Sequence, residues 1–157
     1  MFKGTSASAG IGIGKAVIVE EAELVITRNE VADAEAEIQR FKGALEKTIA
    51  ATQKMADDLA SRVGEKEAEI MQGHMMLLSD PMLTGEIENS VKNDKVNCEF
   101  AIENVCNMYA DMFASMGDEL MQQRATDMRD IKVRMQRTLM GLESVDVSLL
   151  PKGSILV

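Results

Sequence analysis

The sequence predicts a mostly α protein: a four-helix hairpin bundle inserted between strands of a small, truncated sheet. Three observations predict it. Between Glu30 and Met140, apolar residues recur at three- and four-residue spacings in long runs punctuated by Gly, Asn, Asp and Pro. Residues 1–19 are instead small and Gly-rich, then β-branched. After Gly141 the helical pattern stops, and the chain ends on Ile155-Leu156-Val157, which reads as a strand. The expected order is strand–strand, helices, strand: residues 1–28 and 144–157 share a small sheet, and 29–143 form the bundle. Short joints favour antiparallel helical hairpins. A finished domain seldom stops in a buried strand, so a longer parent is expected.

Composition narrows the possibilities. The chain has 157 residues, 46% apolar but only 3% aromatic, with 13 methionines. Its core must be built from aliphatic side chains and thioethers, which adapt to irregular gaps. The net charge is −9. That argues against nucleic acid, which selects a basic footprint, and against an anionic membrane. It favours a basic protein partner. Cys98 and Cys106 are the two cysteines, about 12 Å apart along one predicted helix, too far for a disulfide within it. Reduced thiols in a cytoplasmic protein are expected. The single His74 has no second ligand at metal-binding spacing, and no 18-residue apolar run spans a membrane.

The elements follow in order. Residues 1–19 read as a strand, a turn through Ser8–Gly10, and a second strand ending near Glu20. A phosphate loop ending at Gly14-Lys15 fails, because Ala9 and Ala16 stand where Gly and Ser or Thr are required. The dinucleotide spacing fails too, so the glycines are assigned to turns and close strand packing. From Glu30 to Val63, the residues Val31, Ala34, Ile38, Phe41, Leu45, Thr48, Thr52, Met55 and Leu59 make a coiled-coil-like seam weakened by two threonines. Gly64 is a candidate C-cap.

The second helix, from Glu65 to Leu78, carries more apolar residues than one face can bury. Ile70, His74, Leu77 and Leu78 share one side at i, i+4, i+7, i+8. Met71, Met75 and Met82 extend that stripe, while Met76 and Leu83 lie off it. Ser79-Asp80-Pro81 interrupts the helix, with Ser79 or Asp80 capping a short new piece that opens on Pro81. Asn97 is expected to cap the next helix, whose stripe runs Ile102, Val105, Cys106, Tyr109, Met112, Phe113, Met116. Gly117-Asp118 breaks it. The last helix, from about Glu119 to Met140, has Met121, Arg124, Met128, Ile131, Met135 and Leu139 on one seam and closes at Gly141.

Three segments then fit a known family. Ser8-Ala9-Gly10-Ile11-Gly12-Ile13-Gly14-Lys15-Ala16 resembles the opening "ASPGIAxGKA" of Enzyme I of the bacterial phosphoenolpyruvate:sugar phosphotransferase system, with Ala9 in place of Pro. Gly73-His74-Met75-Met76-Leu77-Leu78-Ser79-Asp80-Pro81 is similar to its "xHxMLLxDP", and Arg124-Ala125-Thr126-Asp127-Met128-Arg129-Asp130-Ile131 to its "RxxDxRDI". The resemblance implies a phosphoenolpyruvate-protein phosphotransferase that uses Mg²⁺, phosphorylates its own histidine and passes the group to the phosphocarrier HPr for sugar uptake. It implies a helical HPr-binding subdomain within an α/β phosphohistidine subdomain, and a C-terminal half that binds phosphoenolpyruvate and Mg²⁺ and makes the parent a homodimer. A nitrogen-regulatory paralogue and a non-enzymatic helical adaptor are the alternatives.

The family's active histidine lies in a "GGxTSHxAI"-like segment that this chain does not contain. The fragment alone is therefore expected to be inactive, with no catalytic residue, cofactor site or metal site. Partner-binding positions carried over by the resemblance are Glu65, Ile70, His74, Met76, Leu77, Asp80, Leu83 and Arg124. Glu65 and Asp80 would meet basic residues of HPr, and Met76, Leu77 and Leu83 would form the apolar centre. For Ile70 and Leu77 a core role competes, and Arg124 could pair with an acid inside the bundle.

Overall fold

In a computed structural model, the structure describes residues 13–18, 23–62, 64–142 and 153–156. The first helix, α1 (Ala34–Arg62), starts where Asp33 takes the amide of Ala36 on its side chain at 3.0 Å. This N-cap explains why the helix begins four residues later than the apolar pattern implied. Residues just before it run extended instead, and Glu30 pairs antiparallel with Val96. The buried stripe of α1 is Ile38, Phe41, Ala44, Thr48, Thr52 and Ala56. At its far end Met55 of the expected seam is exposed and Ala56 replaces it, because a 3.6-residue repeat drifts away from a heptad. Both threonines are satisfied in place: Thr48 Oγ donates to Ala44 O at 2.9 Å and Thr52 Oγ to Thr48 O at 2.8 Å.

Gly64, at φ 144°, joins α1 to α2 (Glu65–Leu78). The chain breaks at Ser79-Asp80 and restarts as α3 (Pro81–Asp94), with Asp80 accepting the amide of Met82 at 2.8 Å and Pro81 in the first turn. The bundle thus has five helices among the described residues, the second helix of the sequence reading being two. The break also resets the helical phase. Leu83, Ile87 and Val91 become the buried stripe of α3, although Leu83 lay off the stripe extended from α2.

The next helix is α4 (Cys98–Ser115). Asn97 precedes it but does not cap it. Its Oδ1 accepts the amide of Asn29 at 2.9 Å, and Glu37 of α1 reaches across to take the amide of Cys98 at 2.8 Å. Glu37 also binds Arg40 at 2.7 Å, and Arg40 binds Glu99 at 2.8 Å. The Arg40 bond holds the Glu37 carboxyl below the usual carboxylate range. The last helix, α5 (Glu119–Leu139), is capped by Asp118 on the amide of Leu120 at 3.0 Å. It stops at Gly141, whose φ of 66° is the left-handed conformation a helix end favours.

Helices α4 and α5 are zipped by polar groups on top of their apolar stripe. Lys132 Nζ donates to Glu103 at 3.0 Å, and the buried amide of Gln136 donates to the other Glu103 oxygen at 2.8 Å. Cys98 and Cys106 are free thiols inside the bundle, and burial pushes each up to about 12. Phe41, Leu78, Leu83, Ile87, Ile102 and Ile131 are fully buried at the centre.

Residues 24–143 form one compact unit; residues 1–23 with 144–157 form a second. In the second unit, β1 (Lys15–Val17) pairs in parallel with β2 (Ser154–Leu156), Ala16 opposite Ile155. The strands shared by the two ends of the sequence are therefore present. Gly14 is where backbones meet, since a Cβ there would lie 1.9 Å from the carbonyl oxygen of Gly153. The expected strand and turn before residue 13, and the stretch 143–152, lie outside the described residues.

Candidate functional site: the kinked helix pair and the cluster beneath it

An apolar side chain is left in water when its helix has already spent one face on the core. On α2 the buried side is Ala68, His74 and Leu78, with Met71, Met75 and Leu77 half-buried. Ile70 and Met76 then point outward, 55% and 69% exposed, and Met82 at the start of α3 is 65% exposed. Acids surround them. Glu65 and Glu69 are exposed on α2, Asp80 stands at the break, and Glu86 is exposed one turn beyond Met82.

The neighbouring helices extend this surface. Met108 of α4 lines a groove with Glu86 of α3. The two helices run antiparallel through a short joint, so one turn toward the break brings Met82 on α3 and Met112 on α4 to the same level. Met112, Met116 and Leu120 are all exposed. Tyr109, stacked at a tilt on Phe113, sits near enough to Asp80 and Glu86 to feel their charge. Its phenol is raised by partial burial and then by those two acids.

Beneath α2 lies a polar cluster. His74 is 2% exposed, and its Nε2 stands 3.4 Å from Asp127 Oδ1 of α5, off the line of a hydrogen bond; neither ring nitrogen has a hydrogen-bond partner. Gln123 donates to Asp127 Oδ1 at 3.0 Å. The guanidinium of Arg124 stands 3.8 Å from Asp127 Oδ2. It also lies on Gly73, where an added Cβ would approach its Nη1 to 2.9 Å. The glycine is a notch that lets α5 bring a half-buried cation up to the edge of α2. Two turns beyond Asp127 on α5, Arg134 reaches Thr52 Oγ1 at 3.4 Å and the Met71 sulfur at 3.8 Å.

The expected partner-binding residues separate into three groups. Glu65, Ile70, Met76 and, partly, Leu77, Asp80 and Arg124 are at the surface. Ile70 is so despite its place in the expected core stripe, because α2 buries Ala68 and His74 and so turns Ile70 away. His74 and Leu83 differ from the surface position expected of them: at 2% and 1% exposed, both lie in the interior. Arg124 makes the internal pair weighed for it, with Asp127, and keeps 29% of its side chain in solvent. Sequence reasoning missed Met82, Met112, Met116 and Leu120 at the surface. The available signal was position: they lie at helix ends, beside Asp80, Asp111 and Asp118, where the core side has tapered off.

Among the described residues no group of three or more His, Cys, Asp or Glu side chains could hold a metal ion, and no helix is long and apolar enough to cross a membrane. A family model described as the N-terminal domain of PEP-utilising enzymes matches residues 3–124. The phosphoenolpyruvate-protein phosphotransferase of Listeria monocytogenes is 37% identical over 156 residues, covering 99% of this chain and 27% of that protein. That of Bacillus subtilis is 36% identical with the same coverage. The chain thus spans about a quarter of the length of the curated relatives it matches. A solution structure titled as the Enzyme I (nEIt) protein superposes with a TM-score of 0.91 at 34% identity, covering 99% of this chain and 64% of that one. A structure titled the N-terminal domain of Enzyme 1 - Nitrogen shares the fold, with a TM-score of 0.73 at 24% identity over 90% of this chain and 58% of that one.

Proposed function

This chain belongs to the family of PEP-utilising enzyme N-terminal domains, and from that premise we propose that it is the carrier-docking part of a phosphoenolpyruvate-protein phosphotransferase. The parent takes a phosphoryl group from phosphoenolpyruvate, with Mg²⁺, onto a histidine of its own and hands it to a histidine of HPr in the cytoplasm. The parent works as a homodimer. The present residues bind and orient HPr. The reading rests on one observation: Met76 and Met82 are left exposed on either side of a helix break, with Asp80 between them and Glu86 one turn beyond, above a completed core.

Each feature has a physical task. The acids raise the encounter rate with a basic carrier and set its orientation, an effect that salt screens. Met76 and Met82 supply flexible apolar area that excludes water at the centre of the contact. Leu77 and Ile70 widen that centre. Arg124, steadied by Asp127, offers a guanidinium to a carboxylate or carbonyl of the partner. The single histidine is not an acceptor, because His74 is buried against Asp127. Incubation with labelled phosphoenolpyruvate and Mg²⁺ should leave this chain unlabelled.

Titration of isotope-labelled HPr with the protein tests the docking. Saturable binding that weakens with added salt is expected, and Met76→Asp should weaken it by about 30-fold, the 2 kcal/mol typical of a central contact residue. Unchanged affinity in that variant refutes the assignment.

A further inference from the structure

The exposed apolar surface of the helical unit is built from an oxidisable side chain. Among the described residues fourteen large apolar side chains are well exposed, and seven of them are methionines. Five of those seven lie around the helix break: Met76, Met82, Met108 and Met112 on α2, α3 and α4, and Met116 just past the end of α4. In the core the balance is reversed. Leu, Ile, Val and Phe fill most of it, and the two fully buried methionines, Met128 and Met135, are each 1% exposed. A leucine would give the surface as much apolar area and a narrower set of rotamers. The chemical property that distinguishes methionine is its thioether, which peroxide converts to a polar sulfoxide.

We propose that this methionine cluster is a site of reversible oxidation by hydrogen peroxide that switches the docking face off. The inference rests on the docking reading given above. At each sulfur the O–O bond of the peroxide breaks. One oxygen is transferred to the thioether, which is oxidised by two electrons, and the other leaves as water. Reduction by a dithiol-dependent sulfoxide reductase returns the thioether, releasing the oxygen as water and leaving the dithiol as a disulfide. A sulfoxide carries a strong acceptor oxygen that must stay hydrated. On the centre of the face it therefore retains the water that docking has to expel. Exposure sets the order of reaction, with Met76 and Met82 first and Met128 and Met135 last. The two cysteines do not compete, because burial keeps both as neutral thiols.

The test is graded hydrogen peroxide treatment of the 157-residue chain. Peptide mass spectrometry locates the added oxygen, circular dichroism follows helix content, and HPr titration follows affinity. Oxygen should appear at Met76 and Met82 while Met128 and Met135 stay reduced. Affinity should fall at least about 10-fold with the helical signal intact, and methionine sulfoxide reductases should restore it. The readout for variants is the ratio of affinities after and before peroxide within the same protein. In Met76→Leu/Met82→Leu that ratio should shrink, and in Met55→Leu/Met140→Leu, both away from the break, it should keep its full size. Equal oxidation of buried and exposed methionines overturns the proposal. So do unchanged affinity after oxidation, a loss that tracks lost helix, and a ratio unaffected in the first variant. If the untreated protein fails to bind HPr, the docking reading falls and this proposal falls with it.

Discussion

Leu83 and Met76 stand seven residues apart on opposite sides of the helix break, the first buried and the second exposed. The decisive perturbation is to shorten each side chain in turn. Leu83 is 1% exposed in contact with the central core cluster, which includes Leu78, Ile87 and Ile102. Leu83→Ala removes a buried isobutyl group and leaves a cavity that the neighbouring helices fill only in part. Such changes cost about 2–5 kcal/mol. With a urea slope of about 2 kcal/mol per molar, the unfolding midpoint should fall by roughly 1–2.5 M. Met76 is 69% exposed, and Met76→Ala removes little that was out of water. Alanine is also the better helix former, so the midpoint should move by no more than about 0.25 M, the 0.5 kcal/mol expected of a surface change. Urea unfolding followed by circular dichroism supplies both numbers, and HPr titration supplies the complementary pair. Leu83→Ala should bind HPr normally while folded, whereas Met76→Ala should bind weakly while fully stable. A Leu83 variant with wild-type stability and lost binding would refute the division into core and docking face.

Two other outcomes follow from local geometry. Glu37 carries a carboxyl lowered from 4.5, chiefly by its bond to Arg40, and it caps the first amide of α4. A depressed acid stabilises the fold above its unfolded value and stops doing so as the pH falls through its folded one. Glu37→Gln should therefore lower the urea midpoint at pH 7, and the gap to the wild type should close as the pH is taken well below 4.5. A gap that persists undiminished in acid contradicts the assignment. Gly73→Ala should cost little stability, since relief of a mid-helix glycine returns up to about 1 kcal/mol. Its Cβ should instead displace the Arg124 guanidinium from Asp127, visible as a shifted Arg124 Nε–H resonance; an unmoved resonance would rule out the notch.

Sequence periodicity was enough for the helices because each needs only one buried face, and the caps that bound them are local. Asp80-Pro81, Asp118 and Gly141 act through amides within two or three residues of themselves, so spacing reveals them. Asn97 shows the limit. It has the right residue type at the right place, yet the cap of α4 comes from Glu37, sixty-one residues earlier in the chain. No local pattern encodes a bond between two helices.

The candidate site divides along the same line. The excess of apolar residues in Glu65–Leu83 and the surrounding acids are properties of composition, and they marked the stretch as a surface with two obligations. Which residue meets which obligation depended on helical phase. A proline-capped break restarts that phase, and this turned Leu83 inward while the packing of Ala68 and His74 turned Ile70 outward. The packing of His74 beside Asp127, and the rest of Arg124 on Gly73, joins α2 to α5 across some fifty residues of sequence. By itself the sequence determined that this is an acidic helical bundle with a methionine-rich kink; only the tertiary structure decided which face of that kink is core and which is left in solvent, because burial is a property of what packs against a side chain.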